Sequence, residues 1–256
     1  MYGLQAGLFA DKRVVITGAG RGIGAAIAEY LVNDGAHVLA HLGREGGEAN
    51  WIFPADGTTT EHLTTCCADL ATTEGVEQVL QTASKTFEQV NILINNAGTM
   101  LGRVPTESLT VDHYRAVSDL NSQSVVLLCS GLLPQLKQSE NASIVNVTSI
   151  SAVTGGSPGS SIYSAAKGFV STYTRSLATE LASFGIRVNA ISPGTIDTDF
   201  HQRYSSPEKL ERTANNTPLK RLGTAEDCVP ACLFLASETL SGYITGQIVG
   251  INGGSA

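Results

Sequence analysis

Tyr163 and Lys167 lie four residues apart in the segment YSAAK, which contains nothing that breaks a helix. Four residues is a little over one helical turn, so phenol and ammonium share a face, with Cβ atoms roughly 6 Å apart. A phenol titrates near about 10 and exchanges protons poorly at neutral pH unless something stabilises the phenolate. Bringing it to about 7 takes roughly 4 kcal/mol. A lysine charge about 4 Å away, at an effective dielectric of about 20, supplies that much. The pair is therefore sufficient in principle for an acid–base step. The plain alternative is a Tyr and a Lys on a solvated helix face, the commoner situation for this spacing. The rest of the chain has to decide between them.

A second stretch carries different chemistry. VVITGAGRGIGAAIAEYL (14–31) reads as a strand, a glycine-rich turn and a helix. Glycines there let backbone approach a phosphate, and the helix N-terminus offers N–H donors and partial positive charge. The spacing is not G-x-G-x-x-G, because Ile23 stands where the third glycine would be. Gly18, Gly22 and Gly24 give G-x-x-x-G-x-G instead.

The elements that must position these residues alternate along the chain. Short β-branched apolar runs at 13–18, 37–42, 91–98, 142–149, 186–194 and 246–253 read as buried strands, with 63–70 a weaker candidate. Amphipathic stretches at 24–33, 75–89, 111–133, 163–183 and 225–236 read as helices. Strands apolar on both sides, alternating with helices, imply a parallel sheet covered on both faces. The fold class is α/β: one Rossmann-type, doubly wound parallel sheet of about seven strands. No linker or repeat divides residues 1–256, which read as one domain. Pro54 and four glycines at 43–61 imply a short or distorted helix between the second and third strands. The polar segment 195–222, with Pro207 and Pro218, is too long for a plain connection and reads as a substrate lid.

Composition removes other classes. Charged residues make up 15% of the 256 and the net charge is −7, with no basic run, so nucleic acid is not an expected partner. The five cysteines include no CxxC pair and read as buried thiols in a reducing cytosol. The five histidines show no metal-ligand spacing, so no metal is expected. The N-terminal MYGLQAGLFA lacks a cationic region and predicts no signal peptide. No apolar run reaches about 18 uninterrupted residues, so no membrane span is expected. The expected location is the cytoplasm.

Taken in order, the motifs resemble the short-chain dehydrogenase/reductase family, in its subfamily of roughly this chain length. The matching pieces are TGAGRGIG (17–24), NNAG (95–98), Asn121 in DLNSQSV, Ser149 in NVTS, YSAAK (163–167) and RVNAISPG (187–194). PLKRLGTAEDC (218–228) and YITGQIVGINGG (243–254) follow, so the likeness covers about 8–254. The closing segments are most similar to 3-oxoacyl-carrier-protein reductases, which share them with alcohol, sugar and steroid dehydrogenases.

The resemblance implies an NAD(P)-dependent oxidoreductase moving a hydride between nicotinamide and a carbonyl or secondary alcohol. Tyr163 would be the acid or base, and Lys167 would lower its pKa and bind the nicotinamide ribose. Ser149 would stabilise charge on the substrate oxygen, and Asn121 would hold a water feeding protons to Lys167. The family's serine usually stands thirteen residues before the tyrosine; here Ser149 stands fourteen before and Ser151 twelve, and Ser151 remains a competitor. Gly18, Arg21, Gly22, Ile23 and Gly24 would face the pyrophosphate, and Asp69 and Leu70 the adenine. Asn96, Ala97 and Gly98 would follow the adenosine ribose. Pro193, Gly194, Ile196 and Thr198 would contact the nicotinamide half. NAD users typically end the second strand with Asp, whereas no acid stands at 41–43 and Arg44 follows. NADP is expected over NAD, with Arg44 and then Arg21 as phosphate partners. The resemblance also implies a homotetramer built on the helices at 111–133 and 163–183 and on the C-terminal segment. A sugar, polyol or steroid dehydrogenase is the alternative reading. A non-catalytic nucleotide-binding regulator would show a broken Asn–Ser–Tyr–Lys set, which is intact here.

Overall fold

The computed structural model describes residues 7–44 and 61–256. Seven strands, β1 (Arg13–Thr17), β2 (His37–His41), β3 (Leu63–Cys66), β4 (Ile92–Asn95), β5 (Ser143–Val147), β6 (Arg187–Pro193) and β7 (Ile248–Ile251), form one sheet. Every pairing is parallel and the order is β3-β2-β1-β4-β5-β6-β7. The order reverses between β1 and β4. Chain leaving these two strands diverges to opposite sides and leaves a crevice at their carboxyl ends.

Strand alternation sorts the core into two layers. Val14 and Ile16 of β1 pack with Ile27 and Leu31 of α1 (Gly22–Asn33) and with Cys228 and Cys232 of α9 (Ala225–Ala236). Val15 points the other way. It joins Val79 of α2 (Thr73–Thr86), Leu128 and Leu132 of α4 (Ser124–Lys137), and Val170 and Leu177 of α6 (Ser161–Leu181). Both faces are buried, which is why the strands read as unbroken apolar runs. Side-chain caps start several helices: Thr72 accepts from Gly75 N at α2, and Thr224 and Asp227 form a capping box at α9.

Two expectations need correction. The stretch 111–133 is not one helix: α3 (Val111–Ser118) passes through a π-helical turn at Asp119–Gln123 into α4. The extra residue turns buried Asn121 out of the apolar pattern that made the segment look continuous. The 195–222 segment is not merely a polar loop, since it forms α7 (Asp199–Tyr204) and α8 (Pro207–Asn216). Pro207 is the first residue of α8, where its missing N–H costs nothing, and Ser206 caps the turn. α10 (Glu238–Ser241) completes the helices of the described residues. The distorted helix expected at 43–61 falls almost wholly outside them.

The five thiols are free, four buried and Cys67 half-buried. Among the described residues no His/Cys/Asp/Glu cluster could hold a metal. One rod, 111–137, is long and apolar enough to cross a membrane by length and composition. Its Leu128, Leu132 and Leu136 are spent on the second core layer.

β6 is tied down from outside the sheet by buried Arg187. Its Nη1 donates to the Leu235 carbonyl at 2.8 Å and to Ser241 Oγ at 3.0 Å. Its Nη2 reaches the Ala236 carbonyl at 3.2 Å, and Nε donates to Glu238 at 3.1 Å. One cation thus satisfies the C-terminal carbonyls of α9. Arg187→Met takes its donor from the Ala236 carbonyl and leaves the Leu235 carbonyl only Ser143 and Ser241, and should cost about 3 kcal/mol in urea unfolding. A loss below about 1 kcal/mol would mean the network is ornamental.

Candidate active site

A cavity of about 910 Å³ opens at the carboxyl ends of the central strands. Gly18 after β1, Asn96 after β4, Ser149 after β5 and Gly194 after β6 all line it.

The glycine turn is fixed by close backbone approach. A Cβ on Gly18 would lie 2.9 Å from Ala97 Cα, and one on Gly24 only 2.3 Å from the Gly18 carbonyl oxygen. Gly22 has φ +57° and faces Thr198. Thr17 Oγ1 accepts from the backbone N–H of Asn96 at 3.1 Å and of Ala97 at 3.0 Å. The Asn96 amide returns the favour, donating to the carbonyls of Thr17 and Gly18. His41 closes the turn from the other side: Nδ1 accepts from Gly18 N at 3.2 Å while Nε2 faces the Ala68 carbonyl at 3.0 Å. Burial pulls the His41 pKa down, which keeps Nδ1 an acceptor. Neither the Thr17 role nor the His41 role was assigned from the sequence. The buried polar ends of β1 and β2 were the available signal.

This turn fits an anion. α1 begins at Arg21 with no side-chain cap and no acid in its first turn. Its leading N–H groups are therefore unspent by side chains, as a pyrophosphate would require. Gly18, Arg21, Gly22 and Ile23 line the cavity. Gly24 does not; it is buried against Asn96, a packing role.

The residues expected to handle the proton meet behind Gly98. α6 brings Tyr163 and Lys167 to the cavity wall, and Lys167 Nζ sits 5.8 Å from the Tyr163 ring centroid. Lys167 is 3% exposed and donates to the Val147 carbonyl at 2.9 Å. Burial drags its pKa down to about 8. A Cβ on Gly98 would fall 2.9 Å from Lys167 Nζ and 2.6 Å from Asn121 Oδ1. Asn121 Nδ2 donates to the carbonyls of Thr99 and Val117, both at 2.8 Å. Its Oδ1 is buried without a partner. Such an orphan acceptor costs free energy and suits a bound water.

One expectation reverses. Burial pushes the Tyr163 phenol up to about 12, and a hydrogen bond with Ser149 pulls it down by less. The sequence estimate placed a full lysine charge about 4 Å away. Here desolvation of the phenol outweighs that help, and the ammonium is itself disfavoured by burial.

The two serines separate. Ser149 is the one bonded to Tyr163. Ser151 starts the short helix α5 (Ser151–Thr154) and donates from Oγ to Ser149 Oγ at 2.9 Å. α5 takes up the irregular spacing. With Ser151 as its donor, Ser149 keeps its own proton for the cavity.

The remaining expected residues divide by place. Arg44, Asp69 and Leu70 line one end, with Arg44 Nη1 3.9 Å from Asp69 Oδ2. Pro193, Gly194, Ile196 and Thr198 line the wall after β6, and Ala97 and Gly98 the wall after β4. α7 lies across the opening, with the Phe200 ring 5.7 Å from that of Tyr163.

The family described as enoyl-(acyl carrier protein) reductase matches residues 18–256. The 3-oxoacyl-[acyl-carrier-protein] reductase FabG of Chlamydia muridarum is 33% identical over 254 residues, 97% of this chain and 99% of that protein.

The chain belongs to the short-chain dehydrogenase/reductase family.

A solved NADH-dependent reductase, A1-R′, complexed with NAD is 30% identical with TM-score 0.84, covering 98% of this chain and 99% of that one. A Beutenbergia cavernae structure named for NAD(P)-dependent gluconate 5-dehydrogenase, with NADP bound at low occupancy, is 31% identical with TM-score 0.84 over 98% of both chains. The protein is an NAD(P)-dependent oxidoreductase of this family.

Two outcomes follow from the site. Ser149→Ala should lower turnover on the order of 10²-fold or more, as for one oxyanion donor. Ser151→Ala, which disturbs only the donor behind it, should lose far less, and the reverse order would exchange their roles. Lys167 has a folded pKa of about 8 against an ordinary 10.5. Its penalty is therefore fully present below about pH 8 and fades as pH rises towards 10.5. Lys167→Met should stabilise the fold at pH 7 by up to about 3 kcal/mol, with the gain shrinking above about pH 8. A variant less stable than wild type at pH 7 would contradict a strained ammonium.

Proposed function

We propose that Tyr163, Ser149, Lys167 and Asn121 carry the proton side of hydride transfer between nicotinamide and a carbonyl or secondary alcohol. The observation that carries this is the convergence of Ser149, Tyr163 and buried Lys167 on a cavity that also takes in an uncapped helix N-terminus. The dinucleotide supplies or accepts the hydride.

In the reducing direction the Tyr163 hydroxyl gives its proton to the substrate oxygen. A phenol held near 12 is mostly protonated at neutral pH, the form a donor needs. Ser149 donates to the same oxygen and stabilises its developing charge. Lys167, poised near 8, gives a proton back to the phenolate and offers its ammonium to the nicotinamide ribose. The orphan Asn121 Oδ1 holds the water that recharges Lys167. The glycine turn and the α1 N-terminus hold the pyrophosphate, and the 195–222 segment serves as the substrate lid.

NADP is the preferred cofactor in this reading. The end of β2 carries buried, neutral His41 rather than a carboxylate, and Arg44 stands at the same end with a largely exposed side chain. Asp69 competes for Arg44, so the preference is modest. Val111 and Tyr114 on α3 and Phe169 on α6 are exposed apolar groups on the helices expected to pair, which supports a homotetramer. A cytoplasmic location suits five free thiols.

A carbonyl and alcohol panel, followed by NADPH and NADH absorbance, tests the reaction. Turnover of at least one substrate is expected, lost in Tyr163→Phe while cofactor binding stays nearly intact. Near-normal turnover in that variant removes Tyr163 from the chemistry. In titrations NADP should bind about tenfold tighter than NAD, with Arg44→Ala erasing the difference. Equal affinities in wild type would sink the preference. Light scattering at micromolar concentration should give a tetramer mass; a monomer mass would contradict the assembly.

A further inference from the structure

We propose that the part of the cavity walled by α7 and α8 takes a carboxylate of the substrate, held by Arg103 and Lys209, so that the substrates are oxo acids or hydroxy acids. This rests on the hydride-transfer reading above. Both cations line the same cavity as Tyr163, from different parts of the chain: Arg103 from the segment before α3, Lys209 from α8. Arg103 Nε donates to the Tyr204 carbonyl at 2.9 Å and Nη1 to the Pro158 carbonyl at 3.4 Å. Lys209 Nζ donates to Ser157 Oγ at 3.2 Å.

Neither cation has a carboxylate partner among the described residues. The carboxylate on the neighbouring helix, Asp199, stands 3.6 Å from Arg21 and 3.7 Å from Arg203. The two cations feel each other, since the field of Arg103 adds to burial in pulling down the Lys209 pKa. With burial, they push His201 down to about 4, against the opposing pull of Asp197. Two like charges beside a neutral imidazole in a partly closed cavity are costly unless an anion joins them. Donors remain for it: among the described residues Arg103 Nη2 makes no bond and Lys209 has spent one of its three protons.

Position favours a small acid. The Phe200 ring touches Tyr163 at 5.7 Å and Tyr204 at 5.2 Å. Tyr204 also carries the carbonyl that orients Arg103, and its hydroxyl bonds Thr99 Oγ1 at 2.8 Å. The cations thus stand one aromatic layer from the acid–base group. A phosphate offers the same oxygen-anion chemistry, but a pantetheine arm sets it a long extended chain away from the thioester carbonyl.

The test compares pyruvate, acetoacetate and levulinate with their methyl esters. The readouts are kcat/KM with NADPH and NADH, and calorimetric binding to enzyme saturated with NADP. At least one acid should exceed its ester by about 10- to 100-fold in both readouts. Arg103→Gln and Lys209→Gln should each remove most of that advantage while leaving the ester nearly unchanged, and Arg103→Lys should restore part of it. Esters equal to acids throughout, or an acid advantage that survives both substitutions, overturns the proposal. So does acetoacetyl-coenzyme A outrunning acetoacetyl-N-acetylcysteamine by a margin that the same variants erase, because the anion is then a phosphate. A calorimetric acid preference without turnover of any carbonyl supports the anion site and refutes the hydride-transfer assignment instead.

Discussion

The Lys167 ammonium, nearly sealed from water beside a phenol, is the constraint to which the surrounding structure answers. An isolated buried cation is expensive, and a single carbonyl, that of Val147, offsets only part of the cost. The site keeps it charged enough to matter and strained enough to give up a proton near neutral pH. Gly98 is required because any Cβ there would strike Lys167 Nζ and Asn121 Oδ1 together. The π-helical turn is required because a regular helix would not turn Asn121 to that spot. The sheet order is required because it leaves the crevice where β1 and β4 part.

The same economy governs the nucleotide end. Backbone approaches of about van der Waals distance leave no room for side chains at Gly18 and Gly24. Thr17, Asn96 and His41 then pin the turn by donating to or accepting from its backbone. The turn is consequently rigid before any anion arrives, so little ordering entropy is lost on binding. His41 must be neutral for this, and its burial between Gly18 and Ala68 keeps it so.

Much of this was legible in the sequence, for physical reasons. Buried parallel strands show as apolar runs, and glycine spacing betrays close backbone approach, so the parallel sheet and the phosphate turn were readable from pattern. The Tyr163–Lys167 pair was legible because helical periodicity fixes its common face. What failed depended on depth. Burial reversed the direction of the Tyr163 shift, and no sequence pattern reports how deep a phenol sits. The π-helical turn was hidden because one extra residue barely alters an apolar run. Ser149 and Ser151 could not be separated by counting, since the short α5 helix absorbs the irregular spacing. Arg103 and Lys209 meet across more than a hundred residues of chain, a distance that local pattern does not span.

The most direct measurement is the titration of Lys167 itself. Carbon NMR of the lysine side chains, labelled at Cε and assigned with Lys167→Met, follows each ammonium through its own midpoint. Lys167 should titrate near 8, well below the ordinary lysine value of about 10.5. A Lys167 midpoint at the ordinary lysine value would contradict the strained, buried ammonium on which the site is built.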